Sequence, residues 1–395
     1  MTLMLTTRCN LSCAYCPQRR GAPREMALPV LDAAIRLVAR SGHARPRLVL
    51  FGGEPLLAPR LVRRALRLLS AEARSGLAPE VRLVTNGLLL DGATAEVLDR
   101  HRVSVDLSCD GLGAAQERRG RGTGRRLRRL LERLASRHPA LLRDRLVARL
   151  TLDAATAPAL ADAFAELLAH GVRDIQVSPR LTPDPSWGGH AVRALDDALM
   201  RISDAALRLP AVGGRAAFLP YRPPPPAPPA GRPACSAGAS DVLFVDVDGG
   251  LAPCGAFARS VLPYLPRLAR EVSEALAGPR VDDGRLDARL AARAGRARAL
   301  PVLRSGPRRR SPGRRCASCT ARSECFVCPA SIAFARAQRP DLVPALQCDW
   351  NFLVARHRKD FLARAAAREA PPQRAARRSS AAATSAVTPV RIAGP

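Results

Sequence analysis

The chain has 395 residues, long enough for two domains, and 47% of them are apolar, which is enough to bury a substantial core. No apolar run of about 20 residues and no signal pattern occurs, which excludes a membrane-spanning or secreted class, so we expect a cytoplasmic protein. The formal charge of +29 would suit a nucleic acid, but only Lys359 of the 63 basic residues is lysine and aromatic residues are scarce at 4%. Arginine-rich composition therefore explains the charge, and nucleic-acid binding is disfavoured.

Up to about residue 180, apolar runs of strand length alternate with amphipathic runs of helix length. Six strands are predicted, in "TLMLTT", "RLVLFGG", "VRLVTNG", "VSVDLSC", "RLVARLTL" and "DIQVSP". Helices are predicted at Pro29 to Ala39, Pro59 to Ser75, Thr94 to Arg100, Gly124 to Arg137, Pro158 to His170 and Ala191 to Leu209. This alternation predicts an α/β fold whose parallel sheet closes into a full or partial barrel.

The later strands also carry a polar face. Ser104, Asp106 and Ser108 alternate with apolar residues in "VSVDLSCD", and Arg149 and Thr151 do so in "LVARLTLD". Because helices cover the outside of a barrel, a polar face can only point inward. We therefore expect a polar interior that binds a ligand, unlike the packed apolar interior of a closed eight-stranded barrel.

Three further regions follow the barrel, which we place at residues 1–210. A proline-rich linker covers residues 211–233. A cysteine-rich domain covers residues 234–351, with an arginine-rich insertion at about 258–315 that contains two short helices and the disordered stretch "SGPRRRSPGRR". Residues 352–395 are predicted to hold a helix remnant and a disordered tail.

The chain has 11 cysteines, and the first three lie in the motif "CNLSCAYC". Cysteines in a long chain without a secretion signal indicate metal or cluster ligation instead of a disulfide framework. Structural zinc needs four ligands, and no fourth lies near Cys9, Cys13 and Cys16. Three thiolates on a four-iron cluster would leave one iron open for an outside ligand. An incomplete zinc site or free thiols are the alternative.

The motif resembles the signature of the radical SAM superfamily, C-x-x-x-C-x-aromatic-C, with Tyr15 as the aromatic residue. The resemblance implies that Cys9, Cys13 and Cys16 hold a [4Fe-4S] cluster whose open iron binds S-adenosylmethionine. It also implies that an electron from the cluster cleaves this cofactor into a 5′-deoxyadenosyl radical, which abstracts a hydrogen atom from a substrate.

Further motifs resemble the strand ends at which this family binds S-adenosylmethionine: "FGGEP", "VTNG" and "LSCDG". Glycines let the backbone approach a ligand closely, and the carboxylate of "FGGEP" can pair with the methionine ammonium or stiffen its own loop. Arg149 is a candidate partner for the methionine carboxylate. The candidate cofactor-binding residues are Gly52, Gly53, Glu54, Asn86, Ser108 and Arg149. The last three have a plainer alternative as turn or packing residues.

The seven later cysteines resemble the SPASM domain, which binds two auxiliary [4Fe-4S] clusters in radical SAM enzymes that act on peptides and proteins. The resemblance implies a first auxiliary cluster on Cys235, Cys254 and Cys328 and a second on Cys316, Cys319, Cys325 and Cys348. Only two residues separate Cys325 from Cys328 where the family has three, so the place of Cys328 stays open. One or two zinc sites are the alternative. The remaining Cys109 is interpreted as a buried small apolar residue.

Together the motifs predict a radical SAM and SPASM peptide maturase that acts on a ribosomally made precursor, with no catalytic residue identified. A flavodoxin or ferredoxin is the expected electron donor, and leader recognition is expected to need a separate protein or a site on the barrel. Related sulfatase maturases carry an acidic residue directly after the second SPASM cysteine, where it acts as a base. Gly255 stands there in this chain, which disfavours that activity unless Asp106 or Asp110 replaces the base. Outside the enzyme class, the alternative is a basic zinc protein that binds nucleic acid.

Overall fold

The computed structural model describes residues 1–18, 22–43, 45–73, 76–209, 216–223, 235, 242–260, 266–283, 296–297, 300–303, 310–311 and 316–369. Its main sheet contains six parallel strands in the order β6-β5-β4-β3-β2-β1. They are β1 (Thr2–Met4), β2 (Arg47–Phe51), β3 (Glu80–Thr85), β4 (Ser104–Ser108), β5 (Leu146–Leu152) and β6 (Asp174–Pro179). All six predicted strands are confirmed, and so is the α/β fold class.

Helices follow each of these strands. They are α1 (Leu28–Ala39), α2 (Pro59–Ala73), α3 (Gly92–Arg100), α4 (Ala114–Glu117), α5 (Thr123–Arg137), α6 (Pro139–Asp144), α7 (Leu160–Ala169) and α8 (Gly189–Arg208). The sequence did not predict α4 and α6, because four and six residues are too few to show a helical period.

Alternation along the strands separates the two sides of the sheet. Leu48, Leu50 and Leu83 belong to one large apolar core that also contains the inner faces of α1, α2 and α5. On the opposite side, Asp106 forms ion pairs with Arg82 and Arg149. The predicted inward polar face is therefore present on β3 to β5.

A short hairpin from the cysteine-rich region extends the sheet, and the sequence did not predict it. Strands β7 (Phe244–Val245) and β8 (Leu251–Ala252) are antiparallel to each other, and β7 pairs in parallel with β1. In the turn between them, Gly249 has a φ of +85°, a conformation that glycine adopts without strain. The barrel and the cysteine-rich region therefore share one eight-stranded sheet.

The cysteine-rich region contributes helices α9 (Arg267–Ala275), α10 (Pro329–Phe334) and α11 (Ala345–Glu369). Helix α11 packs along α8, and an Arg364–Asp204 ion pair at 2.6 Å joins the two helices. It starts seven residues before the predicted helix remnant at residue 352. Most of the predicted linker, of the "SGPRRRSPGRR" stretch and of the tail lies outside the described residues. No helix in the described ranges is both long and apolar enough to cross a membrane.

A buried aromatic cluster holds α11 against the barrel. Tyr221 stacks on Phe361 of α11 with 5.2 Å between ring centroids, and its hydroxyl donates a 2.6 Å hydrogen bond to the carbonyl of Leu199 in α8. The Tyr221 ring also meets Phe218 edge to face at 4.8 Å. This single side chain therefore links α8, α11 and the segment that follows α8.

Replacing Tyr221 by Ala is expected to lower the free energy of unfolding by about 3–5 kcal/mol, because a buried aromatic ring is lost. Tyr221→Phe keeps the ring and loses only the hydroxyl, so the expected loss is about 1 kcal/mol. Urea unfolding followed by circular dichroism measures both. Equal losses in the two variants would contradict the assignment of the stabilisation to ring packing.

Candidate active site at the carboxyl ends of the strands

One cavity of about 610 Å³ lies at the carboxyl ends of β1 to β4. This volume lies within the range of about 300–1,000 Å³ that is usual for sites of small ligands. The cavity brings together the three predicted cluster cysteines and four of the six predicted cofactor-binding residues: Cys9, Cys13, Cys16, Gly52, Gly53, Asn86 and Ser108. The other two, Glu54 and Arg149, do not line it.

The loop after β2 is pressed against the chain that leads into the cysteine motif. The backbone N–H of Gly53 donates to the carbonyl of Thr6 at 2.8 Å, and that of Glu54 donates to the carbonyl of Arg8 at 2.7 Å. A Cβ atom on Gly53 would lie only 2.2 Å from the Arg8 carbonyl oxygen, and one on Gly52 would lie 2.7 Å from that of Thr6. Both glycines are therefore required by close backbone approach directly before Cys9.

Glu54 is fully buried, and its carboxylate connects the loop after β2 to the end of β3 through hydrogen bonds. Its carboxylate accepts hydrogen bonds from the Leu56 N–H at 3.0 Å, the Thr85 hydroxyl at 2.9 Å and the Asn86 N–H at 2.7 Å. Burial raises the pKa of this carboxyl, and the three hydrogen bonds oppose that rise. Of the two predicted roles, stiffening of the loop is the one that this geometry provides.

Asn86 in turn contacts the cysteine motif itself. Its side-chain amide donates a 2.8 Å hydrogen bond to the side-chain oxygen of Asn10, which lies directly after Cys9. Its own side-chain oxygen accepts from the Leu88 N–H at 3.0 Å. Asn86 therefore acts at once as a turn residue and as a contact of the cysteine loop.

Tyr15 anchors the cysteine loop to the ends of β4 and β5. Its buried hydroxyl donates to the carboxylate of Asp110 and accepts a 2.6 Å hydrogen bond from the guanidinium of Arg119. The other carboxylate oxygen of Asp110 accepts from the Thr151 N–H at 3.0 Å. Burial raises the pKa of the Asp110 carboxyl above its usual range, against the opposing effect of Arg119. The pKa of the Tyr15 phenol is also raised, mainly by burial.

Arg119 lines the cavity, and sequence reasoning missed it. Its side chain is 8% exposed, and its Nε atom has no hydrogen-bond partner within the described part of the chain. The residue sits in the run "ERRGRGTGRR", where no pattern separates a buried arginine from a solvated one. The predicted Arg149 does not line the cavity itself, but its β5 position pairs with Ser108, which does; its side chain is 42% exposed and lies 2.9 Å from Asp106.

The three cavity cysteines offer a donor set of soft sulfur ligands beside one buried cation. Burial raises the pKa of the Cys13 and Cys16 thiols, and Arg119 opposes that rise. Within the described ranges, no three His, Cys, Asp or Glu side chains gather around the position of a single metal ion. All three cysteines line the same cavity, and thiolate ligands fit an iron–sulfur cluster.

The later cysteines form two groups, and within each group the thiols interact electrostatically. The first group is Cys235, Cys254 and Cys328, and the second is Cys316, Cys319, Cys325 and Cys348. Burial raises the pKa of the Cys254 thiol to about 12. The side-chain amide of Asn351 lies 3.4 Å from the sulfur of Cys325. The division matches the predicted one, and Cys328 lies with Cys254. Cys109, outside both groups, is fully buried in the apolar core, as predicted.

A side chain at the position after Cys254 would require a small shift of the Phe244 ring. A Cβ atom on Gly255 would lie 3.0 Å from the ring of Phe244. The two predicted substitutes are also engaged, because Asp106 pairs with two arginines and Asp110 with Tyr15. Neither of these carboxylates lines the cysteine cavity.

Residues 3–147 match the family model of the radical SAM superfamily. These residues therefore form a radical SAM domain, and the similarity of this segment to known enzymes supports an enzymatic role. It is similar to the GTP 3′,8-cyclase of Synechococcus sp., with 39% identity over 141 residues, which are 32% of this chain and 40% of that protein. It is also similar to the serine-type anaerobic sulfatase-maturating enzyme of Klebsiella aerogenes, with 34% identity over 126 residues, or 29% of this chain and 31% of that protein. The matched segment thus spans less than half of the length of each of these relatives.

Solved structures share the fold over most of the chain. anSMEcpe with bound AdoMet and Kp18Cys peptide has a TM-score of 0.69 over 93% of this chain and 99% of its own, at 14% identity. SuiB of Streptococcus suis bound to precursor peptide SuiA has a TM-score of 0.55 over 88% of this chain and 75% of its own, at 13% identity. The predicted combination of a radical SAM barrel and a cysteine-rich carboxyl-terminal region is thereby confirmed at the level of fold.

Gly53→Ala is expected to displace the loop that supports Cys9, because the added methyl group meets the Arg8 carbonyl. Binding of S-adenosylmethionine should fall at least about tenfold, as about 1.4 kcal/mol of strain suffices for that, and up to four irons, those of one cluster, should be lost from the protein. Gly92→Ala is the matched control, because a Cβ atom there meets nothing within 4 Å. Equal iron content in the two variants would contradict the close-packing argument.

Tyr15→Phe removes the hydroxyl that joins Asp110 and Arg119. The loss of these two buried hydrogen bonds is expected to destabilise the cysteine loop by about 1–3 kcal/mol and to increase the rate of proteolysis at this loop. Limited proteolysis with mapping of the cleavage sites by mass spectrometry measures the change. Tyr221→Phe, at a buried tyrosine in another part of the fold, is the control. Unchanged protection of the loop in Tyr15→Phe would show that the network does not hold it.

Proposed function

We propose that this protein is a radical SAM peptide maturase that activates a ribosomally made peptide by hydrogen abstraction. The observation that carries the proposal is one cavity lined by three cysteines, together with two further thiol groups in a single fold. Two of the proteins that share this fold were solved with a bound peptide. The segments that are similar to the cyclase and to the sulfatase maturase each cover about a third of the chain, so these similarities bear on the barrel alone.

In this proposal, Cys9, Cys13 and Cys16 hold the [4Fe-4S] cluster at the cavity wall. When bound, the cluster and S-adenosylmethionine supply an electron and a 5′-deoxyadenosyl radical. Gly52 and Gly53 keep the wall free of side chains where the β2 loop meets the cysteine motif. Arg119 provides positive charge at the wall, and Arg149, whose β5 position pairs with Ser108 of that wall, is the other candidate partner for the carboxylate of the methionine moiety.

The two later groups of thiols would hold auxiliary [4Fe-4S] clusters. The Cys254 group lies beside the apolar hairpin that joins the barrel sheet, and Cys348 lies in the first turn of α11. Fully ligated clusters suit electron transfer. A small acidic flavodoxin or ferredoxin is the proposed electron donor, since the chain carries a formal charge of +29. Oxygen-sensitive clusters and reduced thiols are consistent with the cytoplasm.

Sulfatase maturation is the second candidate, because a sulfatase-maturating enzyme and anSMEcpe are among the similar proteins. Gly255 argues against it, because glycine has no side chain that can act as a base. The modification we propose therefore does not depend on a carboxylate at residue 255. Thioether formation, carbon cross-linking and epimerisation remain within this class of reactions.

Cys13→Ala is expected to abolish the formation of 5′-deoxyadenosine from S-adenosylmethionine in the presence of dithionite. The wild-type protein, purified without oxygen, should be brown and hold about twelve irons in three clusters, and the variant about eight. Chromatography of the nucleoside and iron analysis provide the two measurements. Cys109→Ala is the matched control, because this cysteine belongs to the apolar core.

Cleavage that survives in Cys13→Ala would show that the cavity cysteines have another role. A colourless protein with stoichiometric zinc would favour the zinc alternative instead. A mass shift in peptides encoded next to the gene would identify the substrate directly.

A further inference from the structure

A second large cavity lies at the amino ends of the parallel strands. Its volume is about 510 Å³, within the range of about 300–1,000 Å³ that is usual for sites of small ligands. Arg47, Glu80 and Ser104 line it, and they are the first residues of β2, β3 and β4. The cysteine cavity lies at the carboxyl ends of the same strands, so the two cavities are at opposite edges of the sheet.

This second cavity combines a buried apolar floor with a charged rim. The floor consists of side chains from α2, from the segment after it and from β3: Leu66, Leu69, Leu77 and Val81. The charged residues of the lining are Arg45, Arg47, Arg82, Arg102 and Glu80. Four arginines therefore face one carboxylate.

The carboxylates at this end of the sheet do not balance the arginines. One oxygen of Glu80 lies 3.7 Å from Arg45 and the other lies 3.4 Å from Arg47, so two guanidinium groups share one carboxylate. Arg82 pairs with Asp106, which an arginine on β5 also uses. The cavity therefore carries a surplus of positive charge and suits an anion.

Arg102 occupies a backbone position at which glycine is usual. Helix α3 ends in a Schellman motif, in which the N–H of Arg102 donates to the carbonyl of Asp99 at 3.0 Å and that of Val103 donates to the carbonyl of Leu98 at 2.8 Å. The φ of Arg102 is +52°, in the left-handed region that disfavours side chains. The arginine is therefore strained at this place.

Helix α7 ends in the same motif with the usual glycine. Gly171 has a φ of +88° and donates to the carbonyl of Leu168 at 3.0 Å, and Val172 donates to that of Leu167 at 3.1 Å. The two turns read "HRV" after α3 and "HGV" after α7, so they differ only at the strained position. The turn itself therefore does not require an arginine.

Gln338 shows how the chain offsets such strain elsewhere. It is the other non-glycine residue with a positive φ in the described ranges, and its side-chain amide donates to the carbonyls of Ala333 and Ala335. The Arg102 side chain makes no hydrogen bond or ion pair with the residues that the structure describes. Its strain is thus not offset by a contact of that kind there, and backbone strain of this type is found mainly at functional sites.

We propose that this cavity binds a phosphate monoester with an apolar body, and that Arg102 is one of the residues that hold the phosphate. A phosphate monoester carries about 1.5 to 2 negative charges at pH 7 and three acceptor oxygens, which several guanidinium groups can bind at once. The apolar floor holds the body of the ester. The inference does not depend on the proposed peptide modification, because the site lies at the other edge of the sheet.

Isothermal titration calorimetry of the intact protein, prepared without oxygen, tests the inference. The probe is phenyl phosphate, at low ionic strength because salt screens exposed charges. Inorganic phosphate lacks the apolar body, phenol lacks the charge, and phenylmalonate carries two carboxylates in place of the phosphate. A repeat with saturating S-adenosylmethionine tests whether the probe occupies the cysteine cavity.

Phenyl phosphate should bind at one site per chain, at least about tenfold more tightly than each of the three comparison compounds. Arg102→Gln should weaken this binding about tenfold, because a charge-assisted hydrogen bond is lost, and Arg102→Lys should weaken it less because the charge remains. Arg128→Gln, which removes one charge at an exposed position on α5, should leave it unchanged. Saturating S-adenosylmethionine should also leave it unchanged.

Arg102→Gly provides a readout that separates binding from stability. It should weaken binding as much as Arg102→Gln does and raise the melting temperature by about 1–2 °C, because glycine relieves the left-handed strain. Arg102→Ala should weaken binding equally without that rise, because alanine keeps the strain. A lower melting temperature in both variants would show that Arg102 has a structural role instead.

Four results would overturn the inference. They are no binding of phenyl phosphate, equal or tighter binding of phenylmalonate, equal weakening in Arg102→Gln and Arg128→Gln, and displacement of the probe by S-adenosylmethionine. The third would indicate an effect of net charge alone, and the fourth would place the phosphate in the cysteine cavity. None of them bears on peptide modification, which the mass shift of a peptide substrate tests separately.

Discussion

The close contact between two backbone segments determines the geometry of this site. Gly52 and Gly53, at the end of β2, approach the carbonyls of Thr6 and Arg8 so closely that no side chain fits between them. These carbonyls directly precede Cys9, so the position of the cysteine loop follows from the packing of the β2 loop. Glu54 extends the constraint to the end of β3, because its carboxylate binds the backbone of Asn86. Parallel strands place all of these ends at one edge of the sheet, and the cavity opens there.

The sequence predicted this edge well, because its signals are local. Cysteine spacing, paired glycines and apolar runs each occupy a few consecutive residues, and each was sufficient to predict one element or motif. The contacts of Tyr15 could not be predicted in this way. Tyr15 lies 95 residues from Asp110 and 104 residues from Arg119 along the chain, so these side chains meet only in the folded barrel. In an arginine-rich run, the sequence does not show which arginine is buried in the fold. Arg149 was predicted to point inward, and its β5 position pairs with Ser108 of the cavity wall, but the alternation along β5 could not show that its Nε atom pairs with Asp106.

The hairpin of β7 and β8 was missed because strands of two residues have no period, yet it decides how the two halves of the chain meet. By pairing with β1, β7 brings the cysteine-rich region onto the same sheet that carries the first cysteine motif. Cys254 follows β8 after one residue, so the first of the later thiol groups is fixed to the barrel wall by backbone hydrogen bonds. Ser260, a few residues on, lines the cysteine cavity itself. A predicted domain boundary in this region therefore does not correspond to a gap between two separate sheets.

Gly255 affects both the chemistry that is possible beside Cys254 and the lining of the pocket there. In the sulfatase-maturase resemblance, its position is that of a base, and a glycine there removes one. In this fold the same glycine, together with Phe244 and Cys254, lines a pocket of about 260 Å³. A carboxylate at this point would be desolvated against an aromatic ring, which costs free energy unless a partner compensates it. A glycine at this position therefore removes a possible base and at the same time keeps the lining beside Cys254 free of a charge that nothing there would compensate.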